Sequence, residues 1–239
     1  MIRDWVVSRV RKAVAQRHFV DDYEKLVKRL VATYPIDEAM SRAVGGNYEI
    51  VGQIEADIVT AAGLADGMAI VDLGCGSGRL ASTLHQRMNV SYVGIDIVQA
   101  LLDYAQGKAP KYRFIRHRDL SIPLDDASMD MVSAFSLFTH LQQAEIYIYL
   151  EECVRVLKPG GRVVFSFLEF TEPKHWQVFE NTKAGAKVGI GDHLNMFLER
   201  ATIDFWASRL ALSVERYYPS TATWNGHALE QSLVVLRKP

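Results

Sequence analysis

A chain of 239 residues with 49% hydrophobic and 23% charged side chains has the composition of an ordinary globular fold, large enough for one α/β core and a small cap. A formal net charge of −1 gives no overall electrostatic footing for a nucleic-acid partner, and no apolar run is long enough for a membrane span or a signal-peptide core. Cys75 and Cys153 have neither metal-ligand spacing nor the numbers of a disulfide framework, so a cytoplasmic setting and no metal site are expected.

Three amphipathic helices come first. In the first, Ile2, Trp5, Val6, Val10, Ala13 and Val14 share a face, with Arg3, Arg9, Arg11, Lys12 and Arg17 largely around it. A basic helix of this kind can lie on an anionic membrane or on RNA. A cap helix with a solvated face is the expectation here, because the charge is not matched elsewhere. Tyr23, Leu26, Val27, Leu30 and Tyr34 mark a second helix, started by Asp21 or Asp22 and ended by Pro35. Ile50, Ile54 and Ile58 mark a third, closed by Gly63. Residues 1–46 are expected to form an N-terminal helical cap, and residues 47–239 the core.

The core opens on Ile70-Val71-Asp72-Leu73-Gly74-Cys75-Gly76-Ser77-Gly78-Arg79, a short apolar strand that bears an acid and turns through three glycines into a helix. Glycines at those positions turn tightly and admit a ligand to the backbone, while the next helix offers free N–H groups. A dinucleotide fingerprint needs glycine or alanine where Arg79 stands, and a phosphate cradle would end in Lys-Ser/Thr. The Asp72 carboxylate would repel a pyrophosphate and attract a cation. The run resembles motif I of the class I S-adenosylmethionine-dependent methyltransferases, in the form acid-x-Gly-x-Gly-x-Gly. Their cofactor carries a sulfonium and an ammonium but no phosphate. The resemblance covers about residues 47–167 closely and 206–239 by pattern only.

Strands and helices then alternate, which predicts a doubly wound, mostly parallel sheet. Val90 to Asp96, Tyr112 to Arg116, Met129 to Phe135 and Arg162 to Phe167 read as strands two to five, with helices over 98–106 and 143–157. Ile146, Leu150, Cys153 and Leu157 line one face of the latter, and Lys158-Pro159-Gly160-Gly161 is expected to stop it. Ala211 to Tyr217 and Gln231 to Arg237 complete seven strands, joined through a tight turn at Asn225-Gly226. The resemblance implies that the last strand is reversed. Between them, about 168–205 is expected to be a lid-like insertion.

The site residues follow from this placement and from the resemblance. Asp72, Gly74, Gly76 and Gly78 form the first cofactor contact. Asp96, 24 residues beyond Asp72 at the end of strand two, has the geometry to accept both ribose hydroxyls. The resemblance places Ile97 against adenine, gives Asp119 and Leu120 of Arg118-Asp119-Leu120 the reading of its edge, and sets Phe135 beside the methionine part. His140 is expected either to take a proton from an acceptor hydroxyl or to pack and fix its loop. Tyr48, Trp176 and His193 are candidates for the acceptor side.

Together these imply methyl transfer from S-adenosylmethionine to an O or N atom of a small or medium metabolite. Three other readings share part of the pattern: a nucleic-acid methyltransferase, a non-catalytic cofactor-binding scaffold, and an aminopropyl transferase. The lining of the cleft beside the methyl position distinguishes them, being closed and apolar for a metabolite and broad and basic for RNA.

Overall fold

The structure, a computed structural model, describes residues 20–188 and 194–239. The expected first helix and His193 lie outside the described residues. α1 (Val20–Thr33) and α2 (Ile36–Ala43) precede α3 (Tyr48–Ala61). The apolar stripe read from the sequence is the buried side of α1: Val27 packs with Met40 and Ala43 of α2 and with Val98 and Leu101. α2 is an addition to the expected elements. Pro35 ends α1 as anticipated but also stands as the N-cap residue of α2, since proline lacks the donor that a helix interior needs and that a helix start does not.

Alternating segments build the sheet. β1 (Ala69–Leu73) leads through the glycine turn into α4 (Arg79–Arg87), and β2 (Ser91–Asp96) into α5 (Gln99–Lys108). β3 (Arg113–Arg116), β4 (Met129–Ala134), α6 (Gln143–Val156) and β5 (Leu157–Phe167) follow, with a short 3-10 turn at Phe138–His140. After α7 (Pro173–Lys187) and α8 (Arg200–Arg209) come β6 (Ser213–Tyr218), a two-residue ribbon of β7 (Thr223–Trp224) and β8 (His227–Ala228), and β9 (Ser232–Arg237).

The sheet order is β3-β2-β1-β4-β5-β9-β6. β1 to β5 are parallel, and β9 runs antiparallel between β5 and β6. This is the expected seven-stranded fold with its reversed last strand. Asn225 (φ 49°) and Gly226 (φ 82°) make the anticipated tight turn, within the β7–β8 ribbon.

One boundary differs. α6 ends at Val156, and Lys158-Pro159-Gly160-Gly161 lies inside β5 instead of in a loop. Its pairing with β4 shifts from Met129–Leu157 to Met131–Arg162, so the Pro-Gly-Gly run is an irregular strand entry with Gly160 at φ 79°.

The 168–205 segment carries α7 and the start of α8. Its return strip lies beside β5, where the Met196 N–H donates to the Thr139 carbonyl at 2.7 Å and the Leu198 N–H to the Leu168 carbonyl at 2.8 Å. Among the described residues no helix is long and apolar enough to cross a membrane.

Candidate cofactor and acceptor site

Parallel strands bring their carboxyl ends to one side, and the order reverses between β1 and β4, which is where open α/β sheets bind ligands. A cavity of about 420 Å³ opens there. Gly74 (φ 69°) and Gly76 (φ 53°) line it, both in the left-handed region that a side chain would strain. A Cβ on Gly76 would come within 2.6 Å of Val44 Cγ1, so the cap loop sits directly on the turn. Gly78 (φ 80°) has a different task. Ala105 of α5 stands 2.6 Å from where its Cβ would be, so this glycine lets two helices touch and does not line the cavity.

Two buried acids face the cavity from adjacent strand ends. Asp72 accepts the Tyr92 hydroxyl at 2.7 Å and the Ser133 hydroxyl at 2.8 Å. Burial, and next the charge of Glu55, push its pKa up to about 7. Asp96 accepts the Gly76 N–H at 3.0 Å and the Val98 N–H at 2.9 Å, so it joins the glycine turn to the entrance of α5. Burial raises its pKa above the usual carboxylate range, against those backbone bonds. Among the described residues neither acid is in an ion pair.

The cation nearest the turn is committed elsewhere. Arg79 holds buried Glu55 of α3 at 2.8 Å and 2.7 Å and donates to the Val44 carbonyl at 2.7 Å. The residue in the third-glycine position therefore ties the cap loop to two helices. The cap also closes the β2–β3 end. Tyr23 and Leu26 of α1 line the cavity, Tyr23 donates to the Ala43 carbonyl at 3.0 Å, and Glu24 pairs with Arg116 at 2.9 Å and with Arg118. Burial, then the Asp96 charge, raise the Tyr23 pKa.

Ile97, Phe135 and His140 line the cavity. The His140 Nδ1 lies 2.8 Å from the Leu194 carbonyl. A carbonyl only accepts, so Nδ1 carries the proton and the lone pair of the neutral ring is on Nε2.

Other expected residues stand apart. Asp119 is exposed, and neither it nor Leu120 lines the cavity; His117 and Tyr149 do, with the Tyr149 hydroxyl donating to the Asp119 carbonyl at 3.3 Å. Tyr48 is a strut under the turn, donating to the Ser77 carbonyl at 2.9 Å with its ring edge-on to Tyr104. Trp176 is 47% exposed and packs with Phe170 and Phe179, away from the cavity lining. Arg42, Leu194 and Gln231 line the cavity without having been singled out by any motif. Tyr23 carried a signal, its place on the α1 stripe, which identifies a packed face but not which packed ring reaches a ligand.

These residues fit S-adenosylmethionine. The glycine cradle leaves the backbone open to contact, and two buried acids with no ion-pair partner among the described residues suit a ligand that brings positive charge and hydroxyl donors. No group of three or more His, Cys, Asp or Glu among the described residues is placed to hold a metal ion.

Comparison with known proteins points the same way. A family described as "Methyltransferase domain" matches residues 70–161. A probable S-adenosylmethionine-dependent methyltransferase of Mycolicibacterium smegmatis is 35% identical over 97 residues, covering 40% of this chain and 36% of that protein. A ubiquinone biosynthesis O-methyltransferase of Pseudomonas fluorescens is 30% identical over 146 residues, 58% of this chain and 57% of the other. The chain thus spans between about a third and three fifths of these relatives. The solved structure of magnesium protoporphyrin IX methyltransferase from Synechocystis PCC 6803, with bound S-adenosylhomocysteine, superposes with a TM-score of 0.64 at 19% identity, over 95% of this chain and 99% of that one. That likeness concerns the fold.

Proposed function

We propose, for a chain that belongs to the class I S-adenosylmethionine-dependent methyltransferases, methyl transfer to an oxygen or nitrogen atom of a small or medium metabolite. One observation carries the reading: a single cavity joins the acid–glycine–acid cradle to the apolar carboxyl end of β4. Relatives named for ubiquinone biosynthesis and as demethylmenaquinone methyltransferase support a small acceptor. Both cysteines are free thiols, which supports a cytoplasmic setting.

When bound, S-adenosylmethionine supplies a methyl group already activated on a sulfonium, which leaves as a neutral thioether. The chain's residues do the rest. Of the residues lining the cavity, Asp96 would accept the ribose hydroxyls, Ile97 and His117 would hold the adenine, Asp72 would face the cationic amino-acid part, and Phe135 would offer an aromatic surface to the sulfonium. The acceptor enters between β4, the cap and the 168–205 segment, where Leu194 supplies wall. His140 Nε2 takes the proton of an acceptor hydroxyl as its oxygen is methylated, and positioning in line contributes much of the remaining rate.

Methyl-labelled S-adenosylmethionine, incubated with the protein and a cell extract, tests this. Label should enter small molecules, and His140→Ala should lower turnover at least about tenfold with affinity for S-adenosylhomocysteine changed less than about threefold. Label found only in RNA or protein would replace the acceptor class. Unchanged turnover in the variant would remove the base and leave positioning as the mechanism.

A further inference from the structure

We propose that Ser136 and Gln231 form an acceptor-reading pair, which selects an uncharged acceptor bearing a second hydrogen-bonding atom near the one methylated. This rests on the methyltransferase reading above and names the acceptor chemistry of the same site.

Ser136 follows β4 and Gln231 precedes β9, residues far apart in the chain that meet at the cavity. The Gln231 Nε2 donates to the Ser136 hydroxyl at 3.0 Å. Both ends of this contact are built on left-handed backbone without glycine: Ser136 has φ 53° and Glu230, next to Gln231, has φ 62°. Side chains disfavour that region, and it persists where the surroundings enforce it, commonly at ligand sites.

The surroundings here do so from both sides. The Ser136 N–H donates to the Ser166 hydroxyl at 2.7 Å, and its carbonyl accepts the Thr139 hydroxyl at 3.0 Å. Gln231 is bracketed by its neighbours. The Nε2 of His175, which is 1% exposed, donates to the Glu230 carbonyl at 3.1 Å. On the other side the Ser232 hydroxyl donates to buried Glu169 at 2.5 Å, and Arg200 grips the same carboxylate at 2.8 Å and 3.0 Å. Residues outside the cavity thus fix one amide inside it, which is more support than a surface glutamine needs for folding alone.

Charge sets the class of ligand. Among the described residues, the charged lining residues belong to the cap, α3, α4 and the β1–β2 ends, while from β4 to β9 the described lining holds no carboxylate, lysine or arginine. Glu169 with Arg200 and Glu230 with Lys174 are paired outside it. A charged acceptor would be desolvated there without a counter-charge. A neutral one meets an amide whose Nε2 donates to Ser136 and whose Oε1 lies 3.3 Å from the same hydroxyl, with a second N–H that has no partner among the described residues and can donate to a polar atom.

The test separates a small-molecule cell extract into anionic, cationic and neutral fractions and adds wild-type protein with methyl-labelled S-adenosylmethionine. Label is expected in the neutral fraction. With the labelled neutral acceptor purified, Gln231→Leu should lower kcat/KM at least about tenfold while affinity for S-adenosylhomocysteine stays within about threefold. Gln231→Met serves if the leucine variant fails to fold. Label confined to a charged fraction, or full kcat/KM in the folded variant, overturns the pair's role. Label in no small-molecule fraction, with S-adenosylhomocysteine still bound, contradicts the small-metabolite reading on which the pair rests and is told apart by that result.

Discussion

Asp72 shows how much of this site depends on a single side chain. Its two oxygens are held by hydroxyls and not by cations, in a place that burial and the Glu55 charge make unfavourable for an anion. A carboxyl whose pKa is raised on folding, here to about 7, stabilises the fold fully below its unfolded value and loses that contribution as pH rises through the folded value. Asp72→Asn should therefore flatten the fall in Tm of the ligand-free protein between about pH 4 and pH 7, relative to wild type. A ligand ammonium facing Asp72 stabilises the ionised form, so wild-type affinity for S-adenosylhomocysteine, which keeps that ammonium, should rise over the same window and level above it. Equal pH slopes for the two proteins in thermal scans would show that Asp72 is ionised throughout. Asp72 and Asp96 are legible in the sequence because each ends a short apolar strand beside a turn. Asp119 rested on the resemblance alone and lies outside the cavity lining, since a loop acid has no strand to fix its direction. Gln231 gives no local signal; its role arises from a contact with Ser136, 95 positions away, and from the bond that its neighbour Ser232 makes with Glu169, 63 positions away.

At the level of elements, the facing of α3 on α4 sets the cofactor end. Gly52 makes it possible: a Cβ there would meet the Arg79 carbonyl at 2.5 Å and Thr83 Oγ1 at 2.8 Å. One turn on, Glu55 holds the Arg79 side chain. In an exposed helix Gly→Ala stabilises by about 1 kcal/mol through propensity. Here the clash is with backbone, so Gly52→Ala should destabilise by about 1–3 kcal/mol in urea unfolding and weaken S-adenosylhomocysteine binding as Arg79 shifts. A stabilised variant would mean that the two helices part without cost. The Glu55–Arg79 pair was hidden in the sequence, because 24 residues and two helices separate its members. Strands were readable where buried on both faces, as in β1 and β4. The departures fell at proline and glycine: Pro35 ends one helix as expected but also starts another that the sequence did not reveal, and Pro159-Gly160-Gly161 enters a strand as a bulge where a helix stop was expected.

For the molecule as a whole, topology decides where chemistry can occur. The order β3-β2-β1-β4-β5-β9-β6 places the β1 and β2 acids on one side of the cavity and the β4 and β9 polar pair on the other. The alternation of strand and helix made a doubly wound, mostly parallel sheet readable, whereas the cap's seat on the glycine turn depends on Val44 meeting Gly76, which no periodicity reports. The central claim is that this cavity is built for S-adenosylmethionine and against a pyrophosphate. Isothermal calorimetry of the full chain measures it most directly, with S-adenosylhomocysteine, NAD and ATP titrated in turn. S-adenosylhomocysteine should bind at one site, Asp96→Ala should weaken it about ten- to hundredfold through loss of a charge-assisted contact, and NAD and ATP should give no binding heat. Saturable binding of NAD or ATP, with none of S-adenosylhomocysteine at millimolar concentration, would contradict the account.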